Sequence, residues 1–318
     1  MITDAQLDRI VAQATPGARL LGAEPLGERT LRLELRGARP VVLRLGGPPD
    51  PGAGDPLAAE AAALRALRAE IDLPLPELLA HDLEGESGAP FLLTSYLEGV
   101  ALPEALPALN EDQRYAVGRA LGEVVARAHS YVAPAYGALD PTAPPEPGRE
   151  PPEGRAGDLT DEPDDEDVRY MRARLDAAVA AAVEAGELDP DGAARIAAWA
   201  AGNLAGTGRP ACLVHGDLRP ARLLLRRRER GWALAGLTGW GFAMAWRPAW
   251  DHVGAMEHFA GDNHFGLRVG YGNAYDATTE RRYDQLREFA LAPFRLILFL
   301  EAGRPDLALA LLRQGDEA

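Results

Sequence analysis

The hydrophobic period of this chain changes near residue 98, and that change limits the folds open to it. Residues 30–35 (TLRLEL) alternate apolar and polar, and 39–45 (RPVVLRL) form a β-branched run between Gly37 and Gly46, so both read as strands. After a Gly/Pro/Asp loop, Asp55 reads as an N-cap with Pro56 at the first helical position, opening a helix over 57–70. Residues 75–81 and 91–96 read as two more strands around a turn at 84–88. The first fifty residues thus read as strands, and 1–98 as one small α+β unit.

Beyond it the period is mainly helical. Asn110 and Gln113 have capping-box spacing for a helix running to about 130. An Ala- and Leu-rich run over 168–185 stops at Gly186, a C′ glycine, and Asp189-Pro190 opens another helix that ends near 202. Between the first two of these helices, 134–167 is rich in proline and acids and reads as a mobile acidic loop, too poor in apolar surface to order itself. Leu213-Val214 forms a short strand into His215-Gly216-Asp217; 223–226 and 232–237 then read as a hairpin with a polar tip, RRERG. Helices return after Trp250-Asp251, over 283–302 and 306–313.

Composition narrows the classes. A length of 318 residues sets a prior of about two domains of roughly 150 residues. With 47% hydrophobic and 25% charged residues, global disorder is excluded. No stretch approaches ~18 uninterrupted apolar residues, so no membrane span is expected, and the acidic start MITDAQLDRI is not a secretory signal. Cys212 is the only cysteine and has no internal disulfide partner, which suits a reducing cytoplasm. All 33 basic residues are arginine, against 48 carboxylates, for a net charge of −15. Such a surface repels nucleic acid and weakly favours a cationic small-molecule ligand. The six histidines lack HExxH or H-x₃-H spacing, no G-x-S-x-G exists for a hydrolase, and His252 and His258 read as polar residues near a helix surface. Cys212 reads as a buried filler, and the tryptophans of 232–250 as packing beneath the hairpin.

The informative stretch is LVHGDLRPARLLL followed by LTGWGFAMAWRPAWD. It resembles the aminoglycoside phosphotransferase family, small-molecule kinases that share the protein-kinase architecture with choline and fructosamine kinases. The ordered set carries the resemblance along nearly the whole chain: VVLRL for the phosphate-contacting strand, Glu60 in the following helix, FLLTSYLEG for the hinge, VGRALGEVVARAH for the long helix. The resemblance implies an α+β bilobal kinase-like fold, with a sheet-rich N-terminal lobe over 1–98 and a helical C-terminal lobe over 99–318. It also implies ATP as the nucleotide. Asp217 falls at the position of the catalytic carboxylate and His215 at a loop-organising position. Arg44 stands at the basic strand position, paired to Glu60, and Ser95 and Leu97 fall in the hinge. Only Gly27 stands in the segment that would cover the phosphates, EPLGERTLRL, so an ordinary hairpin turn is as good a reading of it.

Two positions depart from the family pattern. Arg222 stands five residues after Asp217, where the pattern has a metal-holding Asn, and Gly239 stands before Trp240, where it has a metal-holding Asp. No Asp or Glu lies between Arg230 and Trp250, so no shift of register supplies the missing carboxylate. Magnesium takes hard oxygen ligands, usually including a carboxylate, so no metal residue is assigned and magnesium is not expected. Loss of one acid and gain of one arginine shift the local charge by +2, that of one magnesium ion. Arg222 therefore either projects into the metal position and binds phosphate with its own charge, or points to solvent beside a dead site. The expectation is a pseudokinase-like member that retains ligand binding or a regulatory role. The alternatives are a working kinase with Asp217 as base, and a structural protein with an unused cleft.

Overall fold

A computed structural model of the chain describes residues 2–47, 54–69, 73–86, 89–147, 166–204, 211–229, 231–259, 266–267, 270 and 291–316. The chain opens with a helix, α1 (Asp4–Ala14), where strands were expected. Thr3 and Gln6 make a capping box, and Leu7, Ile10 and Val11, spaced three and four apart, are buried together. That stripe has only three apolar residues and is interrupted in the sequence by Asp8, too short to stand out as a helical period.

Strands β1 (Arg19–Gly27), β2 (Thr30–Arg36) and β3 (Val41–Leu45) follow, then α2 (Pro56–Ala66), β4 (Leu78–Asp82) and β5 (Phe91–Ser95). They form one antiparallel sheet in the order β1-β2-β3-β5-β4. Asp55 caps α2 by accepting from the Leu57 N–H, and Pro56 stands at its start. Alternate residues of β2 and β3, Leu33, Leu35, Val41 and Leu43, pack with Phe91 and Leu93 and the buried face of α1. The register places Arg44 opposite Thr30 on one side and Leu92 on the other.

The chain leaves the sheet through β6 (Val100–Ala101) and a short helix α3 (Leu102–Ala105), and enters α4 (Glu111–His129), capped by Asn110 and Gln113 as their spacing predicts. Two-residue strands β7 (Tyr131–Val132), β8 (Gly137–Ala138) and β9 (Glu146–Pro147) come next, so the first part of the expected mobile loop is paired structure. Its other end is corrected too. Helix α5 (Glu166–Glu184) begins before residue 168, and Asp167 is fully buried against the Arg247 guanidinium, which compensates its charge. Residues 148–165 of that loop lie outside the described residues. Helix α6 (Pro190–Asn203) starts at its Asp189 cap, and Gly186 takes the left-handed conformation.

Strand β10 (Cys212–Val214) is buried in a second sheet; β11 (Leu223–Arg228) and β12 (Gly231–Leu237) make the hairpin; β13 (Met244–Trp246) returns beside β10. Helices α7 (Ala249–His258), α8 (Ala292–Glu301) and α9 (Pro305–Asp316) complete the described chain; residues 283–290 of the long helix expected over 283–302 lie outside the described set. One core cluster runs from α2 through α4 to β11 and Trp240, while Trp246 and Trp250 stack at 4.8 Å in another beneath α8. No described helix is long and apolar enough to cross a membrane.

Candidate nucleotide and phosphoryl-transfer site

The His215-Gly216-Asp217 turn leaves the end of β10 and is held from behind. Asp251, in the first turn of α7, accepts the backbone N–H groups of His215 at 2.7 Å and Gly216 at 2.9 Å. His129, in the last turn of α4, lies 3.0 Å from the same carboxylate. Burial alone would raise the Asp251 carboxyl, but the His129 hydrogen bond and the interactions with His215 outweigh it, so it titrates below the ordinary 3.8. Gly216 is left-handed at φ +83°, and a Cβ there would sit on the Phe242 carbonyl oxygen, so no other residue fits. The Trp250 indole N–H closes the turn by donating to the Gly216 carbonyl at 3.1 Å.

His215 ties this turn to the end of β12. Its Nε2 lies 3.0 Å from the Thr238 carbonyl, and the Asp217 N–H donates to its Nδ1 at 3.2 Å, so the network assigns a neutral ring protonated at Nε2. Burial lowers the imidazole below its ordinary 6.5 despite the nearby carboxylates of Asp251 and Asp217. The ring meets Trp240 edge-on at 4.7 Å.

The Asp217 carboxylate is held by two arginines. Arg222 reaches Oδ2 with Nε at 2.6 Å and also with Nη2, and Arg219 donates from Nε to Oδ1 at 2.9 Å. The Arg222 backbone is fixed, because its carbonyl accepts from the Thr238 N–H at 2.9 Å and hydroxyl at 3.1 Å. Its side chain folds inward over Gly239. A Cβ at 239 would lie 2.6 Å from Arg222 Cδ and 2.7 Å from Nε, and Gly239 itself has φ +88°. Positions 222 and 239 are therefore one steric unit: the missing side chain at 239 leaves the space that Arg222 fills.

Arg44 and Glu60 come together as expected, Nη1 to Oε2 at 2.5 Å, with Glu60 buried on α2. Burial raises the Glu60 carboxyl, while the charges of Arg44 and Arg222 and the Arg44 hydrogen bond pull against it. Arg222 thus acts electrostatically on both carboxylates of the site. The short turn at Trp240–Phe242 packs on the start of α2, with the Pro56 carbonyl 3.2 Å and Arg44 Nη1 3.5 Å from a Cβ built at Gly241.

Ser95 and Leu97 are both engaged structurally. Ser95 Oγ accepts from the Glu77 N–H at 2.9 Å, and its own N–H donates to the Glu77 carbonyl at the same distance. Leu97 packs on β12, with Cδ1 2.5 Å from a Cβ built at Gly236. Cys212 is buried in β10, donates to the Trp246 carbonyl, and burial pushes its thiol well up, which makes it a poor nucleophile. His252 is buried at 6.0 Å from the His129 ring, not on the helix surface as expected, while His258 is exposed.

Sequence reasoning passed over Arg219, Asp251 and His129. Arg219, two residues from Asp217, carried a readable signal; the pairing of Asp251 with His129, 122 positions apart, did not.

Asp217 faces two guanidinium groups, position 239 has no side chain, and among the described residues no cluster of three or more His, Cys, Asp or Glu could hold a metal. Glu60 positions Arg44, and the charge of Arg222 acts on the same carboxylate.

A five-stranded antiparallel sheet with one buried helix glutamate, set above helices and a His-Gly-Asp turn, defines the class of kinase-like folds. The chain belongs to the phosphotransferase enzyme family, whose model matches residues 23–289. Among solved structures it is similar to a putative aminoglycoside phosphotransferase from Ralstonia eutropha JMP134, with TM-score 0.62, 17% identity and 99% of both chains covered. It is also similar to a putative fructosamine-3-kinase from Thermobifida fusca YX-ER1, with TM-score 0.57, 19% identity and 98% of this chain and 99% of that one covered. A third is a thermostable aminoglycoside phosphotransferase mutant in ternary complex with ADP and hygromycin B, with TM-score 0.55, 17% identity and 98% and 97% coverage. These identities carry the fold alone. No curated protein sequence gives a significant match.

Proposed function

We propose that this protein is a divergent phosphotransferase-family member in which magnesium-dependent phosphoryl transfer from ATP is impaired and the cleft serves ligand binding or regulation. The lobes divide at residue 98, into 1–98 and 99–318, with the nucleotide between them. Arg44 and Arg222 face its phosphates, Glu60 positions Arg44, and Ser95 and Leu97 lie along the hinge. Asp217 stands where the acceptor hydroxyl would approach, and His215 holds its loop. The observation that carries the reading is the Arg222 guanidinium on Asp217 in the space left by Gly239.

Phosphoryl transfer needs countercharge that bridges and orients the transferring group, and a carboxylate free to take a hydrogen bond from the attacking hydroxyl. A fixed guanidinium supplies charge without the bridge. With both its oxygens bound to arginines, Asp217 is a weaker acceptor toward a substrate hydroxyl. The ligand is a small molecule, and the net charge of −15 favours a cationic one. A cytoplasmic location accords with the single buried cysteine.

A second reading, an active O-phosphotransferase with Asp217 as base, draws on the intact Arg44–Glu60 pair. Turnover separates the two. Purified protein with magnesium-ATP and a panel of hydroxylated amines, cholines and sugars is expected to release ADP no faster than its Asp217→Asn variant. Brisk turnover that disappears in that variant would establish the second reading. Thermal shift on adding ATP tests the third class, an unused cleft, since a ligand that binds only the native state raises its stability.

A further inference from the structure

We propose that Arg222 is a two-position latch, its guanidinium shared between the Asp217 carboxylate and the phosphate oxygens of a nucleotide bound without a divalent ion. This rests on the reading that the cleft accepts a nucleotide but not magnesium.

The first observation is the charge at this end of the cleft. Among the described residues, Arg44, Arg219 and Arg222 face Glu60 and Asp217, three cations against two carboxylates. The excess positive charge belongs to the chain itself, so part of a free polyphosphate's charge is offset there without a metal.

The second is the form of the Arg222–Asp217 contact. Both Nε and Nη2 of Arg222 reach the same oxygen, Oδ2. That is not the two-oxygen fork that makes arginine–carboxylate pairs strong, and a phosphate with several oxygens competes well against it. The third is that the latch has somewhere to move and something to leave behind. The backbone of Arg222 is fixed by Thr238, while its side chain lies over the bare Cα of Gly239 and is about a quarter exposed. When Arg222 leaves Oδ2, Arg219 remains on Oδ1, so Asp217 keeps a countercharge.

The consequence is competition between Asp217 and the nucleotide phosphates for one guanidinium. Nucleotide binding would then free one oxygen of Asp217, and by linkage, removing the Asp217 charge would strengthen nucleotide binding. Loss of a nearby negative charge would also help an anion through space, but that effect does not require Arg222. The two causes are separated by a double-mutant cycle.

The experiment is calorimetric titration of the full chain with ADP and with ATP in EDTA, using wild type, D217N, R222Q and the double variant. The latch predicts that R222Q weakens binding about tenfold, the loss of one charge-assisted contact. It predicts that D217N tightens binding about fivefold or more when Arg222 is present, and by less than about twofold when it is not. R222M, which keeps the length of the side chain and removes the charge, reports the same coupling if R222Q melts early. Equal gains from D217N in both backgrounds, R222Q binding as tightly as wild type, or no metal-free binding by wild type would each overturn the latch. The reading of impaired transfer fails separately, by brisk turnover with magnesium-ATP, and survives a protein that binds no free nucleotide and transfers no phosphate.

Discussion

Two aspartates meet at the same three-residue turn and are used in opposite ways. Behind the His215–Asp217 turn, Asp251 is fully buried and holds backbone N–H groups that cannot move. In front of it, Asp217 is partly exposed and meets two side chains, Arg219 and Arg222, one of them nearly half exposed. The rear is a buried carboxylate holding backbone, while the front is a network of side chains partly open to solvent.

The contrast predicts unequal costs of substitution. Asp251→Ala strands two buried backbone donors and His129, and is expected to lower unfolding free energy by about 3–5 kcal/mol in a denaturant titration. Arg222→Gln, at the partly exposed front, is expected to stay within about 1 kcal/mol of wild type. Similar losses at both sites would erase the distinction. Gly216→Ala should come next, with a loss of about 3 kcal/mol, since it combines a left-handed backbone with a collision on the Phe242 carbonyl.

A smaller and more specific effect is expected where Arg222 meets Gly239. Gly239→Asp alone should cost about 1–2 kcal/mol, because a Cβ there meets Arg222 and the backbone is left-handed. Combined with Arg222→Asn, the steric part of that cost disappears, and magnesium-dependent nucleotide binding should appear that neither single variant has. Melting curves and magnesium titrations of the four proteins read this directly. Additive melting shifts with no magnesium response would mean that positions 222 and 239 are not one unit.

The smallest effect is with pH. His215 titrates below its ordinary 6.5 in the folded chain because it is buried, and His81 is shifted the same way by burial and the Arg65 charge. Between 6.5 and those lowered values the unfolded chain binds more protons, so stability falls as pH drops below about 6.5. Glu60 works in the opposite sense: its carboxyl is raised above 4.5, so its contribution to stability falls as pH rises through that window. Asp251 adds to acid loss only below 3.8, as pH falls through its lowered value. His215→Asn should flatten the slope between pH 6.5 and 5 in denaturation midpoints without abolishing it, since His81 remains. An unchanged slope would contradict the neutral, buried assignment of His215.

Much of the fold was legible because its signals are local. The Asp55 cap, the Asn110–Gln113 box and the Gly186 stop each mark a helix end within a few residues, and the alternation of 30–35 and the β-branched run of 39–45 mark β2 and the strand β3 that carries Arg44. The spacing from Asp217 singled out Arg222 and Gly239, which the fold brings into contact. Helix α1 was missed because only three apolar residues carry its stripe, and the pairing of 131–147 because two-residue strands have no period. What spacing cannot carry is direction. Whether Arg222 turned toward Asp217 or to solvent depended on the bare Cα of a residue 17 positions away, and the support of Asp217's loop by His129 and Asp251 depends on two helices meeting.

The central claim is that a guanidinium stands where the family pattern has a divalent ion. Its most direct test is the affinity of the unmodified protein for ATP with excess magnesium and with EDTA. Affinity in EDTA equal to or tighter than in magnesium is the expected result; binding that requires magnesium would contradict the claim.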